Sequence, residues 1–205
     1  MTNLISALPM LLALLLATAC APSPRPQADP WQALRLPDGS VLWLDEYRFA
    51  PPPQSWQVLD LNDRDFSLAL YKTCEAVLPE EFPCESTMAY AEEPFGHSRE
   101  LEPRAREFLK RYLWASMVEF STPEMRPTRI NGRDALTVLV TGMEPVKHFR
   151  LQAKIVLMHR GERVVAFFIN QWRAGDRPFN EEDFIEFDRF VASFQFAKPS
   201  FYETL

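Results

Sequence analysis

The run QAKIVLMHRGERVVAFFINQW, residues 152–172, decides the fold. Two apolar stretches, Gln152 to His159 and Val164 to Trp172, flank the polar break Arg160-Gly161-Glu162-Arg163, which carries a glycine where a tight reversal needs one. This is the pattern of two long antiparallel strands. In the second stretch VVAFFIN is apolar at successive positions, so that strand is expected to be central and buried on both faces.

Working outward, Asn131-Gly132 predicts a turn leading into a strand from Ala135 to Thr141. Downstream, a helix is predicted from about Asn180 to Ser193, with Asn180 as N-cap and acidic residues at 181 to 183 suited to its positive end. Phe184, Phe187, Val191 and Phe194 form its core stripe. Upstream, Pro103 suits the first turn of a helix predicted to reach about Phe120. Ala105, Phe108, Leu109, Tyr112, Leu113, Met117 and Phe120 recur there at spacings of three and four, giving one apolar face. Arg104, Arg106, Lys110 and Arg111 read as its solvated side, in preference to a basic binding patch.

The earlier part is less periodic. Leu34 to Leu36 and Val41 to Leu44 flank Pro37-Asp38-Gly39-Ser40, a strand-turn-strand signal. Gln57 to Leu61 and Phe66 to Lys72 suggest a second pair around Asn62-Asp63-Arg64-Asp65. Residues 73 to 102, with Pro79, Pro83 and Pro94, read as a long irregular excursion containing one short helix. The expected fold class is α+β: residues 31–205 form a single domain, mainly an antiparallel sheet packed with helices in an α/β/α sandwich. The 16 Phe, 5 Trp and only 6 Gly of the chain fit an ordered aromatic core.

The order of strands, long helix, meander and terminal helix resembles the PsbP/Mog1-like domain. The resembling stretches are Ile130 to Ala135 entering a strand, Val164 to Phe168 after a hairpin, and Phe190 to Phe196 at the end. The resemblance spans roughly residues 34–196. It implies an accessory or assembly role and transfers no catalytic residue.

The N-terminus carries an address. Residues 4 to 19, LISALPMLLALLLATA, are uncharged and almost wholly apolar, and Cys20 follows directly. Sixteen helical residues span about 24 Å, short of a hydrocarbon layer of about 30 Å, so a signal-peptide core fits better than a permanent transmembrane helix. Ala17-Thr18-Ala19-Cys20 resembles the lipobox of bacterial lipoproteins, with Ala17 where Leu is commonest. That resemblance implies cleavage after residue 19 and lipidation of Cys20; Ala21, in place of Asp, favours the outer membrane facing the periplasm. An ordinary secretory signal with an incidental Cys20, or an apolar N-terminal helix of an unprocessed protein, are the competing readings. Residues 21 to 30, APSPRPQADP, form a proline-rich tether reaching about 31 Å at most.

With Cys20 assigned to lipid, Cys74 and Cys84 are expected to pair as a disulfide in an oxidising compartment, against the alternative of two free thiols. A formal charge of −6 disfavours nucleic acid as a partner. His97, His148 and His159 make no compact metal-ligand pattern, and no nucleophile elbow, phosphate loop or dinucleotide glycine pattern occurs. No catalytic residue, cofactor or metal is therefore assigned. Phe82, Tyr90 and Phe95 are candidate partner contacts on the irregular segment, or else seals of that segment against the core. The expected function is a non-catalytic, membrane-anchored envelope accessory or adapter. A carrier of a lipid or small apolar ligand, and an envelope enzyme of unknown class, are the alternatives.

Overall fold

A computed structural model describes residues 29, 31–60, 68–73, 85–94, 99–112, 119–146 and 148–197. They form strands β1 (Val41–Trp43), β2 (Tyr47–Phe49), β3 (Gln57–Asp60), β4 (Leu68–Thr73), β5 (Glu85–Pro94), β6 (Glu119–Phe120), β7 (Glu124–Ile130), β8 (Arg133–Met143), β9 (Arg150–Arg160), β10 (Arg163–Arg173) and β11 (Gln195–Phe196). Helices α1 (Leu101–Tyr112) and α2 (Glu181–Ser193) are added to these, with a 3-10 turn at Gln32–Leu34.

The hairpin read from residues 152–172 is the centre. β9 and β10 pair antiparallel from Arg160 opposite Arg163 to Arg150 opposite Arg173, and Gly161 supplies a φ of +57° at the reversal. The main sheet runs β3-β4-β5-β10-β9-β8-β6, with β7 also paired to β8, and every pairing is antiparallel. β10 lies between β5 and β9, and Val164 to Gln171 are all buried.

Strand alternation divides those buried residues between two cores. Val165, Phe167 and Ile169 pack with Phe184, Phe187, Phe190 and Val191 of α2. Val164, Ala166 and Phe168 pack on the other side with Ala105, Phe108 and Leu109 of α1. One helix therefore covers each face of the sheet, which is the expected α/β/α sandwich. Each fully buried Phe or Leu contributes about 1.5–3 kcal/mol through removal of apolar surface from water.

The ends of the elements follow local chemistry. The Asn180 side chain accepts the Glu182 amide at 3.1 Å and starts α2 as an N-cap. Asn131 and Gly132, with φ of +50° and +78°, close the β7–β8 hairpin with Ile130 opposite Arg133. β3 and β4 pair as expected, Gln57 opposite Tyr71; the turn between them lies outside the described residues.

Three expectations are corrected and one further strand is added. Residues 73–102 are not an irregular excursion throughout, because β5 is a ten-residue central strand. Its inward phase, Ser86, Met88, Tyr90 and Glu92, was hidden by weak β-formers and by a proline at its end. The helix from Pro103 does not reach Phe120, which pairs opposite Gly142 in β6. Phe120 packs on the α1 side of the sheet, so its apolar character serves the sheet and not the helix. Leu113 and Met117 lie outside the described residues.

β7 was absent from the sequence reading because it contains Pro127 and alternates with exposed positions. Both suit an edge strand, which pairs on one side only. Finally, Leu34 to Leu36 is not a strand. Only Arg35 bridges to Val41, while Pro37 to Gly39 does reverse the chain with Gly39 at φ +82°. β1 pairs instead with β2 across Leu44-Asp45-Glu46, and β11 joins β2 to complete a small three-stranded sheet.

Candidate functional site

The chain enters the domain at Asp29. Its carboxylate accepts the Trp31 amide at 3.0 Å and pairs with Arg35 at 2.7 Å, which lowers its pKa below the usual carboxylate range. Trp31 is buried and meets Phe49 edge-on at 5.6 Å between ring centroids. Trp31, the residue that follows the proline-rich run, is thus packed on β2.

Beyond β2, side chains converge on Glu92. Its carboxylate accepts the Tyr47 hydroxyl at 2.8 Å, the Tyr90 hydroxyl at 2.7 Å and the Arg160 guanidinium at 2.8 Å, and pairs with Arg163 at 2.7 Å. The Arg160 side chain is 1% exposed. It lies over the rings of Tyr47 and Phe196 at 5.1 and 4.5 Å, an arrangement that suits a weakly hydrated guanidinium. Arg160 also reaches Glu46 at 3.4 Å.

Burial pushes the Tyr47 phenol up to about 12, and burial followed by the Glu92 charge pushes Tyr90 up as well. Arg160 is held protonated: burial opposes its charge, but the Glu92 carboxylate outweighs that. The cluster therefore joins β2 and β11 to the main sheet by charge and aromatic contact together. Phe194 lies beneath it, stacked on Tyr90 at 4.9 Å and edge-on to Phe167 at 4.9 Å.

A second polar cluster sits at the start of α2. Asp183 accepts from Lys72 at 2.8 Å, Ser86 at 2.6 Å and Asn180 at 2.9 Å, with the buried Arg173 at 3.9 Å. Arg173 donates to the carbonyls of Glu85 at 2.7 Å, Trp172 at 2.8 Å and Pro178 at 3.2 Å. Burial alone would lower the Lys72 ammonium, and hydrogen bonds to Asp183 and Glu186 raise it above its usual value. Glu186 in turn accepts the Trp56 indole at 2.7 Å. In both clusters the carboxylates are filled by donors that fasten one element to another, which is structural chemistry.

The sequence candidates fall as follows. Cys20, Cys74, Cys84, Phe82, Phe95 and His97 lie outside the described residues. Tyr90 is not an exposed partner contact: it is fully buried on β5, with its hydroxyl on Glu92. Of the residues assigned to the solvated side of the first helix, Arg106, Lys110 and Arg111 are exposed. Arg104 is buried and joins α1 to the end of β5 by pairing with Glu93 at 3.1 Å. His148 is exposed; His159 is half-buried, and burial pushes its imidazole pKa down. Among the described residues no group of three or more His, Cys, Asp and Glu gathers as a metal-ligand set.

No protein-family model matches the chain, and no curated protein matches it in sequence. Among solved structures it is similar to the Ran-binding protein Mog1p of Saccharomyces cerevisiae, at 11% identity over 75% of this chain and 92% of that one, with a TM-score of 0.49. It is also similar to cyanobacterial PsbP from Synechocystis, at 15% identity over 74% and 87%, TM-score 0.46. A third is LpqN of Mycobacterium tuberculosis, described as involved in cell envelope biogenesis, at 14% identity over 73% and 82%, TM-score 0.44.

Sequence reasoning missed Glu92 and Arg160, yet a signal was present. Arg160 continues the inward phase of Val156 and Met158, and Glu92 continues that of Met88 and Tyr90. Opposite charges that both fall on the buried phase of a sheet require each other.

Proposed function

We propose that the chain is a lipid-anchored, non-catalytic accessory protein of the bacterial cell envelope that holds its domain beside a membrane and docks there on a protein partner. One observation carries this reading: the apolar run 4–19, Cys20 and the proline-rich residues 21–30 lead directly into Asp29 and Trp31, which are fixed to the core. The tether spans about 31 Å and then ends, so the domain stays near the bilayer and works at high local concentration. In this reading lipid on Cys20 supplies the anchor and Ala21 directs the protein to the outer membrane, facing the periplasm. The saturated carboxylates of Glu92 and Asp183 favour a scaffold over an enzyme.

The pairing of Cys74 with Cys84 belongs to the same proposal. Their chain neighbours Thr73 and Glu85 face each other in register at the end of the β4–β5 ladder, which supports a cross-hairpin bridge in an oxidising compartment.

A second reading, a carrier for a small ligand, draws on Asn170. This residue sits in mid-β10 on the α1 side of the sheet, 8% exposed, and its Oδ1 has no hydrogen-bond partner among the described residues. A buried acceptor without a donor is what a hydroxyl- or amide-bearing apolar ligand would satisfy.

The adapter reading is tested by fractionating a diderm bacterium that expresses the full chain and its Cys20→Ala variant, with chemical crosslinking of intact cells. Membrane association and a discrete protein crosslink, both lost in Cys20→Ala, are expected. A wild-type chain that is soluble and elutes with a bound small molecule would overturn the adapter in favour of the carrier.

A further inference from the structure

The geometry points to the turn Leu44-Asp45-Glu46 as the surface that engages the partner, by inserting Leu44 into an apolar pocket rimmed with Lys or Arg on a protein. This inference rests on the adapter reading and deepens it.

Leu44 and Asp45 have φ of +53° and +55°, successive left-handed positions that hairpins ordinarily give to Asn and Gly. A leucine side chain makes that conformation worse, because its Cβ crowds the following carbonyl. The turn holds its shape through its neighbours. Trp43 and Tyr47 are buried opposite each other in register, with ring centroids 5.5 Å apart. The Glu46 carbonyl accepts the Ala197 amide at 2.7 Å, and the Glu46 carboxylate lies 3.4 Å from Arg160.

Leu44 itself is left 49% exposed by this frame. A strained backbone that presents a large apolar side chain to water has no folding rationale on its own, and such strain collects at binding sites. Rigidity adds to the case, since an anchor already fixed in place loses little freedom on docking.

The flanking charge identifies the partner. Asp45 and Glu46 are both exposed and follow Leu44 directly in the turn, Asp45 with no part in the Arg160 contact that Glu46 makes. They complement a basic rim and oppose an anionic lipid surface, which draws in basic segments instead. The turn also belongs to the small sheet on which Trp31 packs, through Phe49 of β2. Val146, 80% exposed, lies beyond Met143, at the opposite end of the main sheet from Arg160.

The test places the photoreactive residue benzoylphenylalanine at position 44, or at position 146 for comparison, in the full lipidated chain, and irradiates intact cells. A discrete protein adduct is expected from position 44, falling about tenfold when Asp45→Lys and Glu46→Lys are added, with unfolding midpoints showing that each variant folds. An adduct from 44 that ignores the charge reversal overturns the inference, as does a phospholipid adduct there. A protein adduct from 146 and not 44 overturns this surface while leaving the adapter reading intact. No protein adduct from either position, with no protein crosslink from the wild-type chain, removes both.

Discussion

The Arg160 guanidinium donates to the Glu92 carboxylate at 2.8 Å inside a cage of Tyr47, Tyr90 and Phe196, at a place where the sequence offers only a charged hairpin end. Because Arg163 pairs with the same carboxylate at 2.7 Å and is about one-third exposed, the two ends of the pair are not equivalent. Replacing Glu92 removes the shorter of Arg160's contacts to Glu92 and Glu46 and leaves Glu46 at 3.4 Å, whereas replacing Arg160 leaves Glu92 its 2.7 Å pair with Arg163. Glu92→Gln is expected to lower stability by about 3–5 kcal/mol and Arg160→Met by less, measured by urea denaturation. Equal losses would show that the carboxylate and the guanidinium are equally well compensated without each other.

The phenols of the same cluster predict an alkaline limit. Tyr47 ionises at about 12 in the folded protein, above its ordinary value near 10, and Tyr90 is shifted in the same direction. A raised folded pKa gives stability that is complete below the unfolded value and lost as pH rises through the folded one. The unfolding midpoint should therefore fall between about pH 10 and 12, and Tyr47→Phe should flatten that fall while Tyr90 retains the remainder. An unchanged slope in Tyr47→Phe would remove Tyr47 as its source.

Much of the fold was legible because the relevant residues obey one period throughout. Gln152 to Trp172 could only be a buried hairpin, Asn131-Gly132 could only be a tight turn, and Asn180 with three acids after it could only begin a helix. β5 was not legible, since each of its faces mixes polar with apolar residues: Ser86, Met88, Tyr90 and Glu92 on one, Thr87, Ala89, Ala91 and Glu93 on the other. The length of α1 failed for the opposite reason: Phe120 kept the helical spacing although it belongs to the sheet. The Glu92 cluster needs β2, β5, β9, β10 and β11 to meet, a long-range arrangement that no local pattern encodes. Tyr90 illustrates the loss directly, because an aromatic on an unrecognised strand reads as a loop contact.

Relief of the β1–β2 turn gives a third expectation. Leu44→Gly should raise stability by about 1 kcal/mol, since glycine takes positive φ freely and little burial is lost at a half-exposed position. Thermal denaturation measures it. A loss of stability would show that Leu44 is fastened by its own side chain.

Asn170 supplies a fourth. Asn170→Val removes a buried acceptor that has no donor among the described residues and suits the β-strand, so the protein is expected to gain about 1 kcal/mol when purified without ligand. Chemical denaturation decides it. Destabilisation by more than 1 kcal/mol would instead place a bound water or ligand on that amide.

The central claim is that the domain is held on a membrane by lipid at Cys20, and the intact mass of the detergent-extracted full-length protein tests it most directly. The account predicts a mature chain beginning at Cys20 and carrying diacylglycerol and acyl mass, with a gain of about two mass units on reduction from the Cys74–Cys84 bridge. An unlipidated, soluble product cut at another position would contradict it.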